Sequence, residues 1–151
     1  MADYSASIEW RAEGDVAANR YSRAHVWRFD GGAQVPASAS PQAVPVPLSD
    51  PAGVDPEEAL VAAVSSCHML WFLHLAREAG LVVERYGDQA VGTMGRGEGG
   101  RIAFTRIVLR PRIAFGDAPD AAALARLHEA AHERCFIANS LRCEIVVEDA
   151  A

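Results

Sequence analysis

Two segments near the start of the chain alternate apolar and polar side chains. They are residues 4–10 (Tyr-Ser-Ala-Ser-Ile-Glu-Trp) and residues 25–29 (His-Val-Trp-Arg-Phe). A period of two is typical of β-strands, because successive side chains of a strand lie on opposite faces. The pattern therefore predicts two strands that pair as a hairpin-like ribbon. The proline-rich stretch over residues 36–56 predicts a loop or an edge segment, since proline has no N–H to donate within a sheet.

An apolar segment follows, and both of its ends carry helix signals. Asp55 is a favoured N-cap residue, Pro56 suits the first helical position, and the first turn holds two glutamates, which the positive end of a helix stabilises. From residue 59 to residue 76 the side chains are apolar nearly all round. This distribution predicts a helix that is covered on most sides. Gly80 is a natural residue to end it.

The rest of the chain predicts further strands and a second helix. In order, the pattern indicates a strand over 81–83, a glycine-rich turn over 92–100 and a long strand over 102–111. A helix then follows residues 119–120 and runs to about 132, and a final strand covers 143–147. Long helices segregated from antiparallel strands make an α+β fold with helices on one face of the sheet. The length of the chain fits a single domain over residues 1–151.

The charge balance and the N-terminal segment limit the expected partners and compartment. The chain has 14 basic residues, all of them arginine, against 20 acidic ones, for a formal net charge of −6. Nucleic acids and anionic membranes require clustered basic side chains, so neither is an expected partner. The N-terminus lacks the basic and apolar regions of a secretory signal, and we expect no run long enough to cross a bilayer. These features predict a cytoplasmic protein.

Three cysteines are the candidate chemical groups. An odd number of thiols in a cytoplasmic chain argues against a structural disulfide framework. Cys67 lies in the middle of the predicted buried helix, Cys135 follows the second helix, and Cys143 falls in the last strand, where a buried apolar role is expected. A thiol is a weak nucleophile until it is ionised, which requires a nearby cation or hydrogen-bond donors. The residues alone leave open whether Cys67 and Cys135 are reactive or structural.

Histidines raise the question of a metal site. His128 and His132 have the i, i+4 spacing that places two ligands on one face of a helix. No Cys-x-x-Cys motif accompanies them. We expect neither a metal nor another cofactor.

Two segments resemble the OsmC/Ohr family. Residues 54–68 (Val-Asp-Pro-Glu-Glu-Ala-Leu-Val-Ala-Ala-Val-Ser-Ser-Cys-His) are similar to the family signature, in which a Pro-Glu-Glu/Gln helix start leads to a peroxidatic cysteine. Residues 131–141 resemble the segment around the family's second cysteine. The likeness extends from the strand with Trp10 to Val147. It implies an OsmC/Ohr-like α+β fold, with antiparallel sheets wrapped around long central helices in an intertwined homodimer.

The resemblance also implies roles for individual residues. Cys67 matches the peroxidatic cysteine, Cys135 the resolving cysteine, and Glu57 the carboxylate that helps to hold the family's active-site arginine. Arg23 is the best match for that arginine, with Arg20 as the alternative. The implied function is a thiol-dependent peroxidase that reduces organic hydroperoxides to alcohols. A dithiol of the lipoyl type, carried by a lipoylated protein, is the implied reductant.

Two positions depart from the family pattern. Phe136 follows Cys135 where many members have proline, and His68 stands where an aromatic or aliphatic residue is common. Both positions bear on the subfamily and on the preferred peroxide. Composition alone is also compatible with a non-enzymatic protein that binds a lipid or a hydrophobic metabolite and whose cysteines are structural.

Helix geometry predicts that the site is shared between two chains. Glu57 and Cys67 are ten residues apart, which separates their Cα atoms by about 15 Å on a straight helix at about 1.5 Å per residue. No proline or glycine lies between them to bend the helix. Because one arginine cannot easily contact both side chains, we expect a homodimer with its active sites at the interface.

Overall fold

The structure is a computed structural model that describes residues 1–148. The chain divides into two compact units: Met1–Ala59, the first unit, and Leu60–Ala151, the second unit. The division falls in the first turn of the longest helix. The prediction of a single domain over residues 1–151 stays a prediction.

The first unit holds five short strands. They are β1 (Ala6–Glu9), β2 (Gly14–Asp15), β3 (Arg20–Tyr21), β4 (His25–Phe29) and β5 (Gln34–Ala37). An antiparallel sheet has the order β1-β4-β5, and β2 pairs with β3 in a separate ribbon. Ile8 pairs with Trp27, so the two strands predicted from their alternation do pair with each other. Pro36 lies in the edge strand β5, where the missing N–H is tolerated.

The proline-rich segment after β5 packs back against that strand. The buried Ser38 Oγ accepts a hydrogen bond from the Asp50 N–H at 2.9 Å, and Val54 forms an isolated bridge with Ala37. A Cβ added at Gly53 would lie 2.9 Å from the Ala37 carbonyl carbon, so the close approach depends on glycine. The segment is a loop, as predicted, and it is packed against β5.

The longest helix, α1, spans Pro56–Glu78 and begins and ends as its sequence predicts. At its start, the Glu58 N–H donates to Asp55 Oδ1 at 2.7 Å and the Asp55 N–H donates to Glu58 Oε1 at 2.9 Å. This reciprocal pair is a capping box. At its end, Gly80 has a positive φ of 77°, and the Leu81 N–H donates back to a carbonyl of the last turn at 2.9 Å. That geometry ends the helix in a Schellman-type turn.

The length and the composition of α1 would also allow it to cross a bilayer. The expectation that no run is long enough was therefore wrong. Core helices of globular proteins have the same length and composition, and α1 buries Val64, His68 and Phe72. Other apolar positions of α1 are uncovered, and Leu70 is 61% exposed. The sequence predicts a helix that is covered on most sides. In a single chain, part of the apolar surface of α1 is not covered.

The second unit combines α1 with two sheets and two further helices. These are β6 (Val83–Asp88), β7 (Val91–Arg96), β8 (Ile102–Leu109), β9 (Pro111–Phe115), α2 (Ala121–Arg134), α3 (Phe136–Asn139) and β10 (Glu144–Val147). One sheet has the order β10-β8-β7, and β6 pairs with β9 in the other. All of these pairs are antiparallel except β10 with β8, which is parallel. The mixture of helices and mainly antiparallel sheets is the α+β architecture that the sequence predicts.

The glycine-rich segment departs from its prediction as a turn. Its first half is the strand β7, which pairs with β8, and only the residues after Arg96 form the turn. A Cβ on Gly92 would lie 2.5 Å from the Phe104 ring and 2.6 Å from Val61 of α1. Glycine is therefore needed here for close packing of a strand, and its presence does not indicate a turn.

The core of the second unit is built on two stretches of α1. Val64 packs with Ile107 and Leu109 of β8 in one cluster. About two to three turns further along α1, a second cluster joins Phe72, Leu75 and Ala76 to Ala131 of α2. Cys67 lies on α1 between these two clusters.

Candidate active site

The second unit brings two of the three thiols together. Cys67, half-buried on α1, lies close enough to the completely buried Cys135 to raise the pKa of the Cys135 thiol. Both thiols are free and do not form a disulfide. Their proximity satisfies the first requirement for a disulfide between them, which sequence separation alone could not establish.

Cys135 lies at the junction of α2 and α3 and is held by backbone hydrogen bonds. Its N–H donates to the His132 carbonyl at 3.2 Å, and its Sγ accepts from the Ala138 N–H at 3.4 Å. Burial, followed by the interaction with Cys67, raises the pKa of Cys135 to about 11, against the opposing effect of the Ala138 N–H. The Cys135 thiol therefore keeps its proton at neutral pH and can donate it towards Cys67.

A buried histidine pair connects α1 to α2 beside the thiols. His68 Nε2 lies 3.0 Å from His128 Nδ1, and both side chains are buried. Burial, with smaller contributions from His128 and His132, lowers the pKa of His68 to about 4. The His128 ring also stacks on Phe72, with centroids 4.5 Å apart. At neutral pH His68 is therefore uncharged.

The segment from His128 to His132 reads His-Glu-Ala-Ala-His, the spacing that supplies two ligands and a general base in zinc metalloproteases. Geometry does not support such a site here. His128 Nδ1 contacts His68, and Glu129 is exposed. Over residues 1–148, no three His, Cys, Asp or Glu side chains are arranged to hold a metal ion.

Aromatic and cationic side chains surround the Cys135 end of α2. Trp71 meets Phe136 edge to face, with centroids 5.4 Å apart, and the Arg134 guanidinium carbon lies 5.8 Å from the Trp71 ring centre. Phe136 is 66% exposed although it directly follows the buried Cys135. The two aromatic rings offer an apolar surface next to the thiol pair.

In the first unit, Arg23 is fixed by neutral groups. Its guanidinium donates to the Tyr21 carbonyl at 2.5 Å and to Asn19 Oδ1 at 2.7 Å, and it lies 3.6 Å from the Tyr21 ring centre. The residue is half-buried. No carboxylate within residues 1–148 forms an ion pair with it. Arg23 thus presents a rigid guanidinium whose charge is not neutralised by a carboxylate.

Arg20 differs from Arg23 both in its exposure and in its ion pairing. It is exposed, and it pairs with Asp15 at 3.3 Å.

Glu57 is half-buried in the first turn of α1 and, like Arg23, has no ion pair in the described part of the chain. The carboxylate of the neighbouring Glu58 accepts a hydrogen bond from the Asp55 N–H in the capping box. The two residues expected to pair with each other are therefore half-buried charges, and neither has an ion pair within residues 1–148.

Comparison with known proteins agrees with this fold. The family model described as OsmC-like protein matches residues 49–148. The chain belongs to the OsmC-like family. An OsmC-like protein of unknown function from Vibrio cholerae has a solved structure that is 49% identical, with a TM-score of 0.96 and 99% of each chain covered. A search of curated proteins found no match.

More distant OsmC-like structures share the fold. An organic hydroperoxide resistance protein OsmC from Legionella pneumophila is 16% identical, with a TM-score of 0.71 over 100% of each chain. An organic hydroperoxide resistance protein from Elizabethkingia anophelis is 17% identical, with a TM-score of 0.69 over 98% of each chain. These structures establish the OsmC/Ohr-like fold of this chain, which confirms the fold class and the family that the sequence predicts.

The third thiol of this OsmC-like chain lies in a different environment. Cys143 precedes β10 and packs, half-buried, against Val64, Ile107 and Leu109. This packing agrees with the predicted role as an apolar side chain. Sequence reasoning did not predict the hydrogen bond between His68 and His128, because 60 residues separate the two positions.

Proposed function

We propose that this OsmC-like protein is a thiol-dependent peroxidase that reduces organic hydroperoxides to alcohols. The observation that carries the proposal is the interaction between Cys67 and the buried, protonated Cys135. Members of the fold include proteins described as organic hydroperoxide resistance proteins, which supports a role in peroxide stress. In this reaction Cys67 is the peroxidatic residue and Cys135 the resolving residue.

The reaction proceeds in two steps whose atoms balance. The Cys67 thiolate attacks one peroxide oxygen, the O–O bond breaks, and the alkoxide leaves and takes up a proton, so that Cys67 becomes a sulfenic acid and the product is an alcohol. The Cys135 thiol then attacks the Cys67 sulfur. A disulfide forms, the S–O bond breaks and water leaves, which prevents oxidation to the sulfinic acid. A dithiol of the lipoyl type, on a lipoylated protein, reduces the disulfide and becomes oxidised itself.

Arg23 and Glu57 supply the charge that the first step requires. A guanidinium beside Cys67 favours the thiolate, and a carboxylate paired with that guanidinium holds it in place. Both groups are half-buried and lack an ion-pair partner in the part of the chain that the structure describes, whereas Arg20 already pairs with Asp15. We assign the role to Arg23 for this reason. The pair is completed in a homodimer, where a second copy also covers the exposed apolar side chains of α1.

The substrate is an apolar hydroperoxide, and the compartment is the cytoplasm. Trp71 and the exposed Phe136 form an apolar surface beside Cys135, which favours a fatty or aromatic peroxide over hydrogen peroxide. Neither nucleic acid nor a membrane is a partner, since the chain is acidic and its arginines are dispersed.

Counting free thiols tests the proposal. One equivalent of cumene hydroperoxide should remove two of the three thiols of the reduced protein within seconds, because a sulfenic acid and then a disulfide form. Cys67→Ser should lose none, and the control Cys143→Ser should lose both of its remaining thiols. If the wild-type protein keeps all three thiols, the proposal is wrong, and a hydrophobic-ligand protein with structural cysteines becomes the better description.

A further inference from the structure

A polar contact joins α1 to α2 beside the thiol pair. It is the hydrogen bond between His68 Nε2 and His128 Nδ1 at 3.0 Å. The side chain of His68 is 1% exposed and that of His128 is 6% exposed. A buried polar contact between two helices restricts their relative position more than apolar packing does, because moving it leaves polar atoms unsatisfied.

The histidine contact is linked to both thiols through the helices themselves. His68 directly follows Cys67 on α1. On α2 and its C-cap, His128, His132 and Cys135 occupy positions i, i+4 and i+7, which lie on one helix face. The Cys135 N–H also donates to the His132 carbonyl at 3.2 Å. A displacement of His128 relative to His68 would therefore displace Cys135 relative to Cys67.

The surroundings of the pair restrict the rings and keep His68 uncharged. Phe72, fully buried, stacks against the His128 ring, and this packing restricts the orientation of the imidazole. A neutral imidazole has one donor and one acceptor nitrogen, so two neutral rings can share a hydrogen bond. The low pKa of His68 agrees with this neutral state.

We propose that the hydrogen bond between His68 and His128 is a positioning contact that sets the separation of the Cys67 and Cys135 sulfurs for disulfide formation. The inference rests on the proposed function, in which the sulfenic acid of Cys67 condenses with the Cys135 thiol. The two sulfurs must close to about 2 Å in a restricted geometry. Misplacement by about 1 Å slows a reaction that depends on such alignment by about a hundredfold. His68 and His128 touch neither peroxide nor reductant and act only through the helices.

The test separates the two chemical steps in a set of matched variants. His68→Leu removes the contact, whereas His68→Gln keeps an amide near the position of Nε2. His74→Leu is the control, because His74 lies on the same helix but is exposed and pairs with Glu78. With cumene hydroperoxide, the rate of peroxide consumption in the first turnover, which reports sulfenic acid formation, should be within about twofold of wild type in all three. Disulfide formation should slow by at least about tenfold in His68→Leu and by no more than about threefold in His68→Gln.

A second oxidant separates this inference from the proposed function. Diamide forms the disulfide without peroxide chemistry, so the same order of rates with diamide supports the positioning contact even if the wild-type protein ignores peroxides. If His68→Leu forms the disulfide as fast as His74→Leu with both oxidants, the inference is wrong. Should His68→Leu not fold, His68→Asn replaces it, because its shorter amide cannot reach His128. Binding of one equivalent of Zn²⁺ that is lost in His68→Gln would also overturn the hydrogen-bond account.

Discussion

The proposed function draws on two sets of residues in this OsmC-like chain, each within one unit. The neutral half, Cys67 and Cys135, belongs to the second unit, and the charged half, Arg23 and Glu57, belongs to the first. In the second unit, Cys67 and the protonated Cys135 already interact within one chain. In the first unit, Arg23 and Glu57 are half-buried charges, and neither has an ion pair within residues 1–148. The neutral half is assembled, whereas the charged half is not.

The difference follows from the cost of burying each kind of group. A neutral thiol can be buried beside another thiol at little cost, so the packing of α1 against α2 is sufficient to assemble the pair. A half-buried charge loses hydration, and hydrogen bonds to neutral groups, such as those of Arg23, offset this loss less fully than an opposite charge does. We therefore propose that a second copy of the chain completes the charged half.

The largest expected effect is on the peroxidase activity of mixed dimers, which tests whether the charged half comes from a second chain. Cys67→Ser and Glu57→Ala should each be nearly inactive as homodimers. When the two chains are unfolded and refolded together, one site of each heterodimer should regain both groups, and activity should rise to about a quarter of wild type for random pairing. The measurement is cumene hydroperoxide turnover with a dithiol reductant.

The control for this mixture is each variant refolded alone at the same total concentration. Activity equal to the mean of the two parents, or a fully active monomer by light scattering, would show that the site lies within one chain.

A smaller effect should distinguish the two arginines of the first unit. Arg23→Ala should slow the reaction of Cys67 with peroxide by about tenfold to a hundredfold, because a cation beside the sulfur favours the thiolate. Arg20→Ala should change the rate much less, since Arg20 is exposed and pairs with Asp15. Stopped-flow oxidation, supported by alkylation of Cys67 as a function of pH, measures both. An equal or reversed order would transfer the role to Arg20.

The smallest expected effect is on the free energy of unfolding as a function of pH. It arises from His68 in the second unit. In the folded protein the pKa of His68 is about 4, against an ordinary value of 6.5. Between these pH values the unfolded chain binds a proton that the folded chain excludes. Stability should therefore be complete above about pH 6.5 and fall, by at most about 1.4 kcal/mol per pH unit from this group, as the pH approaches 4.

Urea denaturation at a series of pH values measures this slope. His68→Gln should flatten it, whereas His74→Gln, at an exposed position of the same helix, should leave it unchanged. A slope that is identical in all three proteins would mean that His68 is not the group responsible.

The local features of the fold were predictable from sequence because neighbouring residues determine them. The capping box of Asp55 with Glu58 and the positive φ of Gly80 are set by residues within a turn of each helix end. The predicted bounds of α1 were correct for this reason. The second helix likewise starts after its N-cap Asp120, which accepts a hydrogen bond from the Ala123 N–H at 2.7 Å.

Features that depend on distant contacts were not predictable. Glycine is needed at strand position 92 because Val61 and Phe104 leave no room for a side chain there. Neither of these residues is near Gly92 in sequence. The parallel pairing of β10 with β8 and the strand β9 are also products of tertiary packing.

The candidate site shows the same division. From residue types and spacing alone, Cys67 and Cys135 could be either reactive or structural. Only the resemblance to the OsmC/Ohr family predicted that they act in one reaction. Their interaction is a contact across two helices, as is that of His68 with His128. Side chains that meet through the packing of separate helices leave no local signal in the sequence.

The most direct test of the account is to map the disulfide formed by one equivalent of an organic hydroperoxide. The reduced protein is treated with cumene hydroperoxide, remaining thiols are alkylated, and the digest is examined by mass spectrometry without reduction. The account predicts one linked pair of peptides, containing Cys67 and Cys135, with Cys143 alkylated. Three alkylated cysteines, or a bond that includes Cys143, would contradict it.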